Sequence, residues 1–145
     1  MISMASEAEL ALARKSRDPA PLIAVIPYAR LLGMEAEYGE ELLFYLPPQQ
    51  SNVGNPALPA LHGGAIGGFM EMSATLYLLM TMEIPRMPKI VDFSIDYVRV
   101  GRFQTTWAGC QVVRQGRKLV NVSIHAWQHE RQVPIATARA HFVLD

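Results

Sequence analysis

Residues 61–82, LHGGAIGGFMEMSATLYLLMTM, constrain the fold most. Across this stretch Glu71 is the only acidic or basic residue apart from His62. Beyond its glycines the segment is rich in Met, Leu and Ala, which favour helix. Its apolar residues run nearly all round that helix, so it should be buried on every side. Ile84-Pro85 and Met87-Pro88 should stop it. A chain of 145 residues is the size of one domain and can bury such a helix without disulfides. Cys110 is the sole cysteine, which excludes an internal disulfide and a multi-Cys zinc site.

The flanking segments supply the wrapping. Residues 6–16 have helix composition, with Ser6 as N-cap, Glu9 three residues on, and Leu10 and Ala13 facing inward. Residues 22–29 form a second short helical piece. Residues 34–37 and 41–46 read as a hairpin about Tyr38-Gly39-Glu40. Residues 47–59, rich in Pro, Asn and Gln, read as one long loop. After Pro88 the pattern changes to alternation. Val91, Phe93, Ile95 and Tyr97 oppose Asp92, Ser94 and Asp96, and the phase switches at Val98, which suggests a bulge there. Residues 105–113, 119–128 and 134–144 are three more strands, with Val120, Val122, Ile124 and Ala126 on one face. The expected class is α+β: two early strands, a buried helix, then four meandering strands in an antiparallel sheet.

Glu71 is the first candidate for chemistry. A carboxylate amid apolar side chains must find donors, reach a cleft or raise its pKa, and such a group can act as base or nucleophile. The alternative is a partner Arg or an exposed stripe. His62-Gly63-Gly64 comes next, at the junction of loop and helix. Amides at a helix N-terminus can polarise a carbonyl; the glycines can equally serve a tight turn and close packing, the main purpose expected of Gly67 and Gly68. No Gly-Lys-Ser/Thr follows, so this is not a phosphate-binding P-loop.

The run Leu61-His62-Gly63-Gly64-Ala65-Ile66, with Glu71 nine residues after His62, resembles the hotdog-fold acyl-CoA thioesterases of the phenylacetate-degradation (PaaI-like) type. Leu31-Leu32-Gly33-Met34, Val91 through Tyr97, and Gln115-Gly116-Arg117-Lys118-Leu119 agree with that family, so the resemblance covers about residues 25–145. It implies an antiparallel sheet wrapped around a long central helix, in one domain over residues 1–145, with residues 1–28 as a helical extension. It also implies roles. Glu71 takes the catalytic carboxylate position. Gly63, with Gly64, polarises the thioester carbonyl, and His62 shapes that loop. Thr75 matches a hydroxyl that orients water in some relatives, although back-bonding to its own helix is the favoured reading. Where relatives carry Asn or Gln, this chain has Pro56, so Asn55 is the expected substitute. Phe69, Met72, Leu76 and Tyr77 are acyl-pocket or core residues.

The substrate implied is an acyl-CoA, with coenzyme A part of the substrate and no cofactor or metal. Its phosphates need cations. Arg117 and Lys118, with Arg114, are the expected binders, among a cluster that includes Arg99 and Arg102. Charge supports a local site: six basic and eleven acidic residues precede Tyr97, and seven and two follow from it, for a net of zero. A general nucleic-acid surface is therefore excluded. No secretory signal or membrane-spanning run is legible, so a cytoplasmic location is expected. The resemblance implies a homodimer or homotetramer, its active site between protomers with Glu71 and Gly63 from opposite chains. Two rivals remain, a noncatalytic acyl-CoA sensor and an enoyl-CoA hydratase of the same fold. His125 and His129 lie four residues apart on a predicted strand, roughly 13 Å, too far for one ion. Trp107 and Trp127 are core or interface side chains.

Overall fold

A computed structural model describes residues 7–83 and 87–144. Ser6 and Ile84-Pro85, the expected start and stop signals, lie outside the described residues. The central helix α4, Gly63–Thr81, has twelve buried residues spread around its circumference. No described helix is long and apolar enough to cross a membrane.

One side of α4 is covered by a sheet of β1 (Glu35–Tyr38), β2 (Leu42–Leu46), β5 (Lys89–Tyr97), β6 (Thr106–Gln115), β7 (Leu119–Trp127) and β8 (Ala136–Val143). Every pairing is antiparallel and the order is β1-β2-β6-β7-β8-β5. The last four strands are therefore not a simple meander. β6, β7 and β8 follow one another, but β5 crosses over to pair with β8 at the far edge. The helix-facing rows carry many small side chains. Phe44, Ala108, Ala126 and Ala136 form one row, and Cys110, Ile124, Ala138 and Ile95 the next. Alanines there let the helix approach the sheet closely. Val120, Val122, Ile124 and Ala126 are all fully buried on that face. In β5 the irregularity falls between Ile90 and Asp92, not at Val98. It turns Val91 out to solvent and leaves Ile90, Phe93 and Ile95 to pack on the core.

The N-terminal helices cover part of the other side of α4. They are α1 (Glu7–Ser16), α2 (Ala20–Val25) and α3 (Pro27–Leu32). Leu10 and Ala13 of α1 are buried, and Arg14 Nε–H donates to the Leu79 carbonyl near the end of α4 at 2.6 Å. The expected single helix over residues 22–29 is two helices, because extended Ile26 precedes Pro27, which starts α3. α3 ends at Gly33, whose φ of 76° is the left-handed conformation that favours glycine.

The segment expected to be one loop is also structured. After a 3-10 turn, β3 (Val53–Asn55) pairs with β4 (Ala60–Leu61). Its polar side chains hold α3. Gln49 Nε2 donates to the Leu31 and Leu32 carbonyls at 3.0 and 3.3 Å, and buried Asn52 Nδ2 donates to Leu32 at 2.9 Å. These bonds satisfy carbonyls that a helix end leaves open.

The outer sheet face is polar, with an aromatic cluster near β2. Tyr45 packs on Trp107 and His125 on Trp127. Arg131 lies over Trp127 and makes two 2.7 Å bonds to Glu41. That bond holds the Glu41 carboxyl below its ordinary range, against partial desolvation. A lowered carboxylate pKa adds stability above the ordinary carboxylate range, lost as pH falls through the folded value. Because both groups are well exposed, Glu41→Gln should cost at most about 1 kcal/mol at neutral pH, and nothing in strong acid, by urea unfolding. Leu76, fully buried in α4, is core rather than pocket lining, and so is Phe69. Leu76→Ala should lower the unfolding free energy by about 2–5 kcal/mol in chemical denaturation.

Candidate active site

The site begins where β4 becomes α4. His62 is the N-cap of α4, and its Nδ1 accepts the Gly64 N–H at 2.8 Å. The backbone N–H of His62 donates to Asn52 at 2.7 Å, which fixes the entry of the chain into the helix. The His62 carbonyl accepts from Ala65 and Ile66. Gly63 N–H is then left with no acceptor among the described residues. The two amides expected to act together therefore differ. Gly64 is spent on its own cap and only Gly63 is open to a ligand. An open amide at the positive end of a long helix is suited to a carbonyl or oxyanion.

Tyr97, at the end of β5, donates its hydroxyl to the Gly63 carbonyl at 2.6 Å. Its ring also lies in van der Waals contact with the place a Cβ at 63 would take, and its hydroxyl stands 3.2 Å from that of a Cβ at 67. With Arg99, Leu58, Ile66 and Gly101 it lines a cavity of about 480 Å³ beside Gly63. Arg99 donates to the Pro134 carbonyl at 2.6 Å. Sequence reasoning missed Tyr97 as a site residue, since its contact with Gly63 spans 34 positions.

Glu71 lies two turns into α4 and is part-buried. No donor among the described residues reaches its carboxylate, and burial alone pushes its pKa above the ordinary glutamate value. At 100° per residue, Gly64, Gly68, Glu71 and Thr75 fall on one stripe of the helix. The Thr75 hydroxyl donates to the Glu71 backbone carbonyl at 3.1 Å, so its proton is committed within the helix. Gly68 is covered by Tyr28 of α3, whose hydroxyl occupies the space a side chain at 68 would need.

Asn55 is exposed at the end of β3, and its Oδ1 accepts the Ala57 N–H at 3.0 Å, closing a turn around Pro56. Its side-chain nitrogen carries no hydrogen bond among the described residues. Arg114, Arg117 and Lys118 do come together. They line a cavity of about 510 Å³ with Asn121 and His141 on the outer sheet face. Asp92, His141, Asn121 and Arg114 make one row across four strands there. His141 Nδ1 is 2.8 Å from Asp92, and the buried Asn121 Oδ1 has no partner among the described residues. On β5 the row lies five residues from Tyr97, roughly 17 Å along the strand. The basic cluster and the Gly63 groove of one protomer are thus separate cavities. Cys110 is fully buried, and burial pushes its thiol pKa far up, so it is inert.

Comparison with known proteins agrees with this architecture. The Escherichia coli K12 protein named medium/long-chain acyl-CoA thioesterase YigI is 31% identical over 139 residues, covering 82% of this chain and 86% of its own. A solved structure from Chromobacterium violaceum is 44% identical with a TM-score of 0.80, covering 95% of this chain and 97% of that one. The E. coli PaaI protein of the phenylacetic acid degradation operon shares the fold, with a TM-score of 0.74 at 15% identity over 91% of this chain and 94% of that one. The family model described as Thioesterase superfamily matches residues 58–135, from the turn before the capped helix through β7. With its helix wrapped by an antiparallel sheet, the chain is a hotdog-fold member of the thioesterase superfamily.

Proposed function

We propose that the protein hydrolyses acyl-CoA thioesters, with Glu71 as base or nucleophile and the Gly63 amide polarising the carbonyl. One observation carries the reading: a single helix holds both an open N-terminal amide and a desolvated carboxylate without a donor. Both are part-exposed, the amide beside a cavity, so a ligand can reach them. A thioester uses both. Its carbonyl oxygen accepts the Gly63 N–H and develops negative charge there. Its carbon is attacked by water that loses a proton to Glu71, or by the carboxylate itself. The C–S bond then breaks and the CoA thiolate leaves, taking the proton held by Glu71 in the first route; in the second, water hydrolyses the acyl–Glu71 anhydride and supplies that proton. The YigI relative's name supports acyl-CoA as the substrate class and medium to long acyl chains as the first to test.

The two groups are eight residues apart, about 12 Å along the helix axis, and on faces about 80° apart. That is too far for one carbonyl to meet both. We therefore assign the site to two copies, Gly63 of one protomer with Glu71 of the partner subunit. The outer edge of β5 supports such a homodimer. It pairs with no strand among the described residues, and Val91, Tyr97, Val98 and Val100 along and beyond it are exposed. His62 holds the loop through its cap, and Asn55 can reach the substrate from the Gly63 side through its free amide nitrogen. In this reading Thr75 is structural, and Arg114, Arg117 and Lys118 receive phosphates of coenzyme A.

Glu71→Gln should lower kcat for thiol release across an acyl-CoA panel by about 10²–10⁴-fold. Undetectable hydrolysis by the wild type together with clear acyl-CoA binding would overturn the reading, and hydration of crotonyl-CoA without thiol release would replace it with a hydratase. Because burial raises the Glu71 pKa, the active ionised form is lost at higher pH than for an ordinary glutamate. The acid limb of kcat/KM should lie correspondingly high in a pH–rate profile. A raised carboxylate pKa also means that the charged form costs stability above it. The melting temperature of Glu71→Gln near neutral pH should therefore equal or exceed that of the wild type. Replacing Arg117 and Lys118 by Ala should raise KM for acyl-CoA by roughly ten- to a hundredfold, the loss of about one charged hydrogen bond. Hydrolysis of the matching acyl-pantetheine, which lacks the nucleotide phosphates, should be unchanged.

A further inference from the structure

We propose that the Tyr28 phenol is a catalytic hydroxyl that holds the attacking water against Glu71. The inference rests on the thioesterase reading and selects its water-mediated form.

Tyr28 projects from α3 onto α4. Its hydroxyl sits where a Cβ of residue 68 would be, so it meets the helix backbone at Gly68. Helical side chains lean toward the N-terminus, over the preceding turn. Glu71 is three residues past Gly68 on the same stripe, so its carboxylate leans back toward the glycine that Tyr28 covers. Neither group has another engagement. The Tyr28 hydroxyl makes no hydrogen bond among the described residues, whereas Tyr97 bonds Gly63 and Tyr45 bonds Glu35. Tyr28 is 42% exposed and lines a cavity with Leu31, Asn52, Val53, His62 and Ala65, so water has access to its ring and hydroxyl.

Tyr28 is also held in place. Gly33 ends α3 in the left-handed conformation, Gln49 and Asn52 bond its last carbonyls, and Ala29 and Leu32 are buried beneath it. Asn52 is thereby committed to α3, and the Asn55 oxygen to its own turn. The phenol is left as an uncommitted neutral polar group at the turn over which Glu71 leans.

The water uses its two protons differently. One is accepted and taken by Glu71. The other is donated to the Tyr28 oxygen, which turns a lone pair toward the thioester carbon. The O–C bond forms, the C–S bond breaks, and the leaving thiolate recovers the proton from Glu71. Tyr28 keeps its own proton throughout. Gly68 suits this geometry because any side chain there would push the phenol away.

The test is steady-state kinetics of Tyr28→Phe, which keeps the ring and removes only the oxygen. Thiol release should fall about tenfold in kcat, with KM within about twofold and an unchanged melting temperature. In a Glu71→Gln background the same change should have no further effect, since the water is no longer deprotonated there. Wild-type kcat in Tyr28→Phe, or an equal loss in both backgrounds, would overturn the role of Tyr28 and leave the thioesterase reading standing. A wild type that releases no thiol from any acyl-CoA would overturn both.

Discussion

The molecule is organised around a helix that has no polar face of its own. An amphipathic helix needs cover on one side only, but α4 must be enclosed. The sheet supplies one wall, with alanines in rows that let it come close, and α1 and α3 supply another. Even the polar residues of the segment before α4 serve this enclosure, since Gln49 and Asn52 hold α3 in position. Where the enclosure is incomplete, along the stripe of Gly64, Gly68 and Glu71, the helix meets Tyr28 and solvent. The exposed part of the core element is thus the place where its one charged side chain stands.

Much of this was legible in the sequence because periodicity is local. The helix at 63–81, the hairpin at 35–46 and the strands after Pro88 all follow from spacing and turn residues within a dozen positions. What failed was non-local. The crossing of β5 to the far side of β8 depends on sheet closure around the helix, which no local pattern encodes. The β3–β4 pairing was hidden because Pro56 and Pro59 mark a loop, while the ladder bonds fall on either side of them. Pro27 was a visible signal for the split between α2 and α3, and the continuous apolar run masked it.

The candidate site shows the same division. Glu71 stood out as an isolated charge and His62-Gly63-Gly64 as a helix start. That His62 would cap Gly64 and leave Gly63 open is a matter of ring orientation. Tyr28 and Tyr97 could not be singled out, because each meets α4 across more than thirty positions of chain. Arg114, Arg117 and Lys118 do share a cavity, yet its distance from Gly63 within a protomer follows from the strand order and not from their spacing.

The two tyrosines have a consequence for motion. The first two turns of α4 contain four glycines, each about 1 kcal/mol poorer than alanine as a helix former. Those turns are braced from outside: Tyr28 occupies the volume a side chain at 68 would take, and Tyr97 packs against positions 63 and 67. The latter half of the helix, dense in leucine and methionine, needs no such help. Local opening should therefore begin at the glycine end, and its frequency is governed by how firmly two aromatic rings from other elements stay seated. An acyl chain or a second protomer pressing on those rings would stiffen the start of the helix, so that occupancy of the groove and the order of the loop that polarises the substrate become one equilibrium.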